Sequence, residues 1–416
     1  LGQKLSRPEL PYKWKIIVLI TSAIAISYFD RQALPVAIAA IQRDIPISNT
    51  QFSELQAAFL LTYAVMYAGA GKLIDVFGTR AGFLIIMIWW SVACASHGWA
   101  GGLTTLFVSR LLLGVGEGGG FPAATKAVSE WFPANERSLA MGIINAGTAA
   151  GAVLAPPLIA TILSFASWRW VFFLAGIAGL VWSVWWYGIY SSPRNCALPE
   201  PNQAGTWSWS KIITRIEVQG LVGAKFLSDA AWYFYLFWLP KYLYDVRHFD
   251  IQHVGYFAWI PYAASGVGCL VGGWFSAWLL RRGHSLNFSR KAALGCSAAV
   301  MPWVVAVTHL PVSFALVLFS IAFFGQQSWS TLVMVIPADL FPPQVVGSVA
   351  GLVGFGGAIG GVIFNLIAGY LLDHGFGYGT VFTIVATLHV TAFALILCTI
   401  PQIHYVKISE QRLQAI

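Results

Sequence analysis

Asp30 and Arg31 stand side by side inside a run from Ile16 to Ile41 that is otherwise oily. A second apolar run carries Arg110 and Glu117, seven positions apart. An ionised group at the centre of a hydrocarbon layer costs about 2.5–3.5 kcal/mol even on the mildest scale, so each must face a wet cavity or a partner. On a helix Asp30 and Arg31 point about 100° apart and cannot simply pair, whereas Arg110 and Glu117 share one face two turns apart. Two helices thus each present a base and an acid. The guanidinium of Arg31 is a planar, permanently charged fork that matches a carboxylate bidentately, which makes it a substrate-holding group for an organic anion. Asp30 and Glu117 then read as proton carriers, because a carboxyl whose surroundings change as a protein rocks can load a proton on one side and release it on the other. Arg110 would replace that proton as the partner of Glu117, or attract the anion a second time. The competing reading is a buried charge network that merely fixes helix packing.

Elements that could position such groups follow from composition. Of 416 residues, 58% are hydrophobic and 10% charged, with a mean hydropathy of +0.71. Soluble domains are about a quarter charged. Nearly every stretch of about twenty residues here is apolar enough to cross a bilayer as a helix, and the alternation of a membrane barrel is missing. The chain reads as an all-α membrane protein. Breaks at Gly, Pro and charge clusters set about twelve spans: 14–42, 50–76, 80–100, 103–132, 137–165, 168–190, 216–245, 251–280, 287–308, 311–342, 345–373 and 377–402. The five cysteines are scattered without ligand spacing, and no His pair has it either, so neither metal nor cofactor is expected. The N-terminal stretch "LGQKLSRPELPYKWK" lacks the apolar core of a cleavable signal.

The only long polar interval, 191–215, reads as a linker between an N-terminal six-helix bundle (1–190) and a C-terminal one (216–416). With termini and linker on one side, about sixteen of the 24 Lys and Arg lie there and about four on the other, which predicts a cytoplasmic location for that side. The net charge of +8 is therefore spent on topology and does not imply nucleic acid. The halves repeat: "GEGGGFPAATKAVSEWFP" from Gly116 and "GQQSWSTLVMVIPADLFP" from Gly325 align without gaps. The same register pairs Phe132 with Phe341, Gly142 with Gly351, Gly147 with Gly356, Gly151 with Gly360, and Glu130 with Asp339. Parallel repeats of this kind belong to secondary transporters, whose site lies between them at the midplane.

That register sets Glu117 against Gln326, and matching the two "LP" pairs sets Asp30 against Tyr235 and Arg31 against Leu236. Charge is concentrated in one half and neutral hydrogen-bonding groups in the other, which suits a ligand with an anionic end and a hydroxylated end, such as a sugar acid. Gln326, Gln327, Ser330 and Asn365 would meet the hydroxyls, with Trp232, Tyr235 and Trp329 as apolar walls. Tyr63 and Tyr67, one turn apart, could reach the carboxylate. Lys225 and Asp229, at i and i+4, are expected to pair structurally. Lys126 and Glu130 are left outside the site, and His389 is the one histidine deep in a span.

"GKLIDVFGTR", from Gly71, fits G-x-x-x-D-x-x-G-x-R and resembles the loop motif of the major facilitator superfamily, while the matching "GWFSAWLLRR" has Ala277 in place of the acid. In that family the loop is thought to latch one state, which would give Gly71, Asp75, Gly78 and Arg80 that role. "SYFDRQ", "RLLLGVGEGGGFPA", "SEWFPANERS", "GTAAGAVLAPPL", "FWLPKYL" and "FAWIPYAASGVGCLVGG" are similar to the anion:cation symporter branch, and the second-half motifs are most similar to its bacterial hexuronate transporters. The resemblance implies a monomeric, multi-pass protein of the bacterial inner membrane, not an enzyme, that imports galacturonate or glucuronate with protons by alternating access. It supports Arg31 as the anion holder, Asp30 and Glu117 as proton carriers, and Tyr63 ahead of Tyr67. An aldonate such as galactonate, an aldarate or another carboxylate is the alternative cargo.

Overall fold

In the computed structural model of the protein, residues 10–132, 134–191, 212–341 and 343–404 are described. Every long element among them is helical: α1 (Leu10–Asp44), α2 (Asn49–Ser96), α3 (Leu103–Glu117), α4 (Gly120–Trp131), α5 (Ala134–Phe165), α6 (Arg169–Ile189), α7 (Ile216–Asp245), α8 (Ile251–Phe257), α9 (Trp259–Arg281), α10 (Leu286–Ala299), α11 (Val312–Leu340), α12 (Pro343–Asp373) and α13 (Gly377–Thr399). Nine helical stretches among the described residues are long and apolar enough to span a membrane. The expected spans at 50–76, 103–132 and 216–245 are helical too. They carry the glycine break or the charges that lower their hydropathy.

The break expected between 50–76 and 80–100 falls at Gly78 of α2, whose φ of 74° and ψ of 160° interrupt the helix. The spans differ from the sequence reading at three other points. The span at 103–132 is two helices, because Gly118 and Gly119 lie hard against α2. A Cβ at Gly118 would sit 2.6 Å from the Tyr63 carbonyl oxygen, and one at Gly119 would sit 2.6 Å from Ile86. The span at 251–280 breaks between α8 and α9 at Ala258, where Pro261 cannot donate to the Phe257 carbonyl. The ninth ends as a 3₁₀ segment, Met301–His309, with Pro302 in its first turn. Of the expected linker, 192–211 lies outside the described residues.

The glycines that the internal repeat aligned do the same work twice. Gly147 and Gly151 of α5 lie on α1, where an added Cβ would be 2.6 Å from the Thr21 carbonyl oxygen and 2.1 Å from that of Ala25. Gly356 and Gly360 of α12 lie on α7, with corresponding distances of 3.1 Å to the Val222 carbonyl and 2.0 Å to that of Phe226. Lipid tails are as apolar as the helices, so association in a membrane depends on close backbone contact of this kind. Each half contains such a crossing at the equivalent place.

Between the bundles, packing loosens from one pole to the other. At the pole away from the termini, the Asp373 carboxylate accepts the Asn49 and Thr50 backbone N–H groups at 3.0 and 2.7 Å, satisfying the start of α2 from α12. A Cβ at Gly369 would be 2.2 Å from Ser53 Oγ; at Gly361 it would be 3.0 Å from Leu60, and at Gly354 it would be 4.0 Å from Tyr67. Near the other pole, Gly69 and Gly351 have nothing within 4 Å. The second seam behaves alike: a Cβ at Gly255 would be 2.4 Å from Ala160, while at Gly266 it would be 3.2 Å from Ala149. The bundles therefore form a cleft that is shut at one pole and splayed at the pole bearing the termini.

Candidate functional site

The cleft narrows around Tyr63, which lies between the packed Leu60 and the looser Tyr67 on α2, and Arg31 sits there. Its guanidinium is flanked by the rings of Tyr28 and Tyr63, each 4.6 Å away, with Phe59 at 5.5 Å. Arg31 Nε donates to Glu117 Oε2 at 2.7 Å, and Ser27 Oγ donates to the same oxygen at 2.6 Å. Arg31 is 2% exposed and Glu117 1%. The two Nη groups of Arg31 have no hydrogen-bond partner among the described residues. One edge of the fork is thus occupied by a carboxylate of the protein and the other carries no hydrogen bond. Ser27 and Tyr28 escaped the sequence reading, although they lie one helical turn before Arg31, a spacing that puts them on its face.

Arg110 does not pair with Glu117. All three of its side-chain nitrogens are buried without a hydrogen-bond partner, as are both oxygens of Asp30 and Oε1 of Glu117. Phe59 lies 5.8 Å from the Arg110 guanidinium. Asp30 faces Cys94 and Trp90 of α2 and lies within electrostatic reach of Glu117 and Arg110. Burying so many charged atoms costs several kcal/mol apiece unless protons or neighbours compensate. A set of two acids and two bases with one direct bond among them has room to exchange partners, which a fully paired packing network lacks.

From the other bundle, Ser330 accepts from Lys225 Nζ at 2.7 Å, and Gln326 Nε2 approaches Asp229 Oδ1 at 3.5 Å. Lys225 and Asp229 do pair, at 2.9 Å. Gln327 is half-buried and Trp232 rests on Phe323 at 5.8 Å. Of the remaining expected contacts, the Tyr235 hydroxyl and the Trp329 indole N–H are buried without a hydrogen-bond partner among the described residues. Asn365 Oδ1 accepts from Trp238 and its amide donates one N–H to the Gly361 carbonyl. Trp329 packs on His389 and Phe393 inside the C-terminal bundle. Tyr235 is buried against Phe234 and Phe323. Gln32 joins the halves instead: its amide donates to the Leu236 carbonyl, and Tyr262 donates to its oxygen at 3.2 Å.

In the loop motif, Arg80 donates to the Tyr187 carbonyl at 2.6 Å and lies over that ring. Of Gly71 and Asp75 only the helical backbone is described. Thr79 and Tyr190 both donate to Glu130, at 2.6 and 2.5 Å, while its repeat partner Asp339 accepts from Arg290 at 2.8 Å.

Helical spans arranged as two repeats around buried ionised side chains, with a cleft open to one pole, define a membrane transporter. The chain belongs to the Major Facilitator Superfamily, whose profile matches residues 20–365. It is similar to the hexuronate transporter of Escherichia coli (strain K12), at 29% identity over 94% of each chain. It is also similar to the D-galactonate transporter of Escherichia coli O6:H1, at 28% identity over 92% of this chain and 93% of that one. Among solved structures, a bacterial homolog of the human lysosomal transporter Spinster, inward-facing and occupied, superimposes with a TM-score of 0.74 at 16% identity, covering 94% of this chain and 96% of that one.

Proposed function

We propose that this protein imports a sugar acid together with protons by alternating access, with a hexuronate such as galacturonate or glucuronate as cargo. The observation that carries this reading is the 2.7 Å bond between Arg31 and Glu117 at the apex of the cleft, with the Nη edge of the guanidinium unbonded. Glu117 and an incoming carboxylate compete for one cation. Protonation of Glu117 removes the competitor and frees the whole fork for bidentate capture of the ligand. Deprotonation restores the internal pair and expels the anion. Asp30, unbonded and close to Arg110, supplies the second carboxyl in this exchange. With the termini-bearing pole in the cytoplasm, as the distribution of basic residues predicts, the cleft is open inward and shut outward, and the membrane is the bacterial inner membrane.

Uptake of labelled galacturonate into proteoliposomes tests this. Imposing an acid-outside gradient is expected to accelerate uptake, and Arg31→Ala is expected to weaken binding about a hundredfold or more, the scale of truncating a buried charge partner. Wild-type uptake indifferent to the gradient would refute the coupling. The resemblance to a galactonate transporter at nearly the same identity supports an aldonate as the second reading. Competition by unlabelled hexuronates and aldonates separates the two.

A further inference from the structure

Opposite Arg31 lies a second ionised pair that the transport cycle above does not use. Lys225 and Asp229 of α7 are bonded at 2.9 Å and are 6% and 7% exposed. An ion pair this deep is weak evidence for stability, since apolar residues of the same volume usually do as well. Its surroundings hold it in one geometry. Lys225 Nζ also donates to Ser330, and Gln326 Nε2 points at Asp229 Oδ1. His389 Nε2 donates to Gln326 Oε1, which fixes the amide with its NH₂ toward Asp229. One donor of Lys225 and the second oxygen of Asp229 remain without a partner among the described residues. Beside that oxygen stands Gly357 of α12, where a Cβ would fall 2.2 Å from Asp229 Oδ2. The two pairs are near one another: Tyr28, whose ring lies 4.6 Å from the Arg31 guanidinium, is within electrostatic reach of Asp229 as well, and so is Tyr233.

An ammonium donor beside a carboxylate acceptor matches neighbouring hydroxyl groups, each of which donates one hydrogen bond and accepts another. Resting on the sugar-acid reading, we propose that Lys225 and Asp229 bind the hydroxylated end of the cargo, and that the charge of Asp229 excludes ligands bearing a second carboxylate at that end. Arg31 selects an acid; Asp229 requires that there be only one.

The test compares galacturonate with galactarate, which has the same carbon skeleton but a carboxylate at both ends. Binding is measured by calorimetry on the purified full chain, for wild type, Asp229→Asn, and the double variant Lys225→Met/Asp229→Asn. Wild type is expected to prefer galacturonate. In D229N the ratio of the two affinities should move toward galactarate by about tenfold or more, because a like charge is gone and Lys225 is free to pair with the second carboxylate. The double variant should lose that gain. It leaves no lone buried charge, so its folding provides the control for D229N. An affinity ratio unchanged across all three chains would overturn the inference and reduce the pair to packing. A wild-type chain that binds neither acid would instead overturn the sugar-acid reading and this inference with it.

Discussion

Arg31 has more claimants than a single guanidinium can serve. Glu117 takes Nε, the Tyr28 and Tyr63 rings take both faces, and the Nη edge is left. On the proposed cycle the Glu117 proton decides which carboxylate wins. Glu117→Gln keeps the volume and removes the rival charge, so it should bind galacturonate at least as tightly as wild type while losing acceleration by an acid-outside gradient. Equilibrium binding together with gradient-driven uptake checks this. A variant still driven by the gradient would move the coupling to Asp30 alone. Arg31 and Glu117 stood out in the sequence because charge in an apolar run is expensive wherever it occurs, and Tyr63 only through the family resemblance. The pairing was not, since Arg110 and Glu117 share a face of one span and yet Glu117 is bonded to a different helix.

Helix crossings explain why so many glycines sit in these spans. Gly151 and Gly360 occupy equivalent places on α5 and α12, and at each the neighbouring carbonyl oxygen stands where a side chain would begin. Gly151→Val and Gly360→Val should therefore each destabilise the detergent-solubilised protein by about 1–3 kcal/mol or more, the cost of overpacking a tight contact. Gly142→Ala and Gly351→Ala, at sites with nothing within 4 Å, should fall within about 0.5 kcal/mol of wild type. Thermal unfolding followed by size-exclusion chromatography distinguishes the two pairs; equal losses would sink this account of the repeat. The sequence register had aligned all four glycines without showing which pair bears a contact. The break at Gly78 fell in the expected gap between two spans, whereas the interruption at Gly118–Gly119 was missed for a related reason. In these spans glycine serves as hinge, crossing point and filler, and only the neighbour reveals which.

Across the whole molecule, the closed pole is held by Asp373 of one bundle on the start of α2 in the other. A carboxylate at a helix N-terminus is worth about 0.3–1 kcal/mol at a surface and up to about 2 kcal/mol when partly buried. Removing it with Asp373→Ala should shift the population away from the present state by roughly fivefold per kcal/mol lost. Gly351→Cys in a cysteine-free background reports the shift, because residue 351 lies on the splayed side. Labelling by an impermeant thiol reagent should slow in D373A. Unchanged labelling would mean that the Ser53–Gly369 and Ala160–Gly255 contacts close this pole unaided.

Composition and hydropathy determined that the chain is a bundle of membrane-spanning helices, because a hydrocarbon solvent leaves the backbone only helices or a closed barrel, and the alternation of a barrel is missing. The internal repeat led to the expectation of two bundles, since the same glycine and acid-x-Phe-Pro spacing recurs in both halves. Tertiary structure alone decided which acid holds Arg31, that Asn365 bonds to Trp238 while Lys225 and Asp229 bond to Ser330 and Gln326, and which pole is shut. Those choices depend on distances between helices far apart along the chain. No periodicity within one helix can encode them.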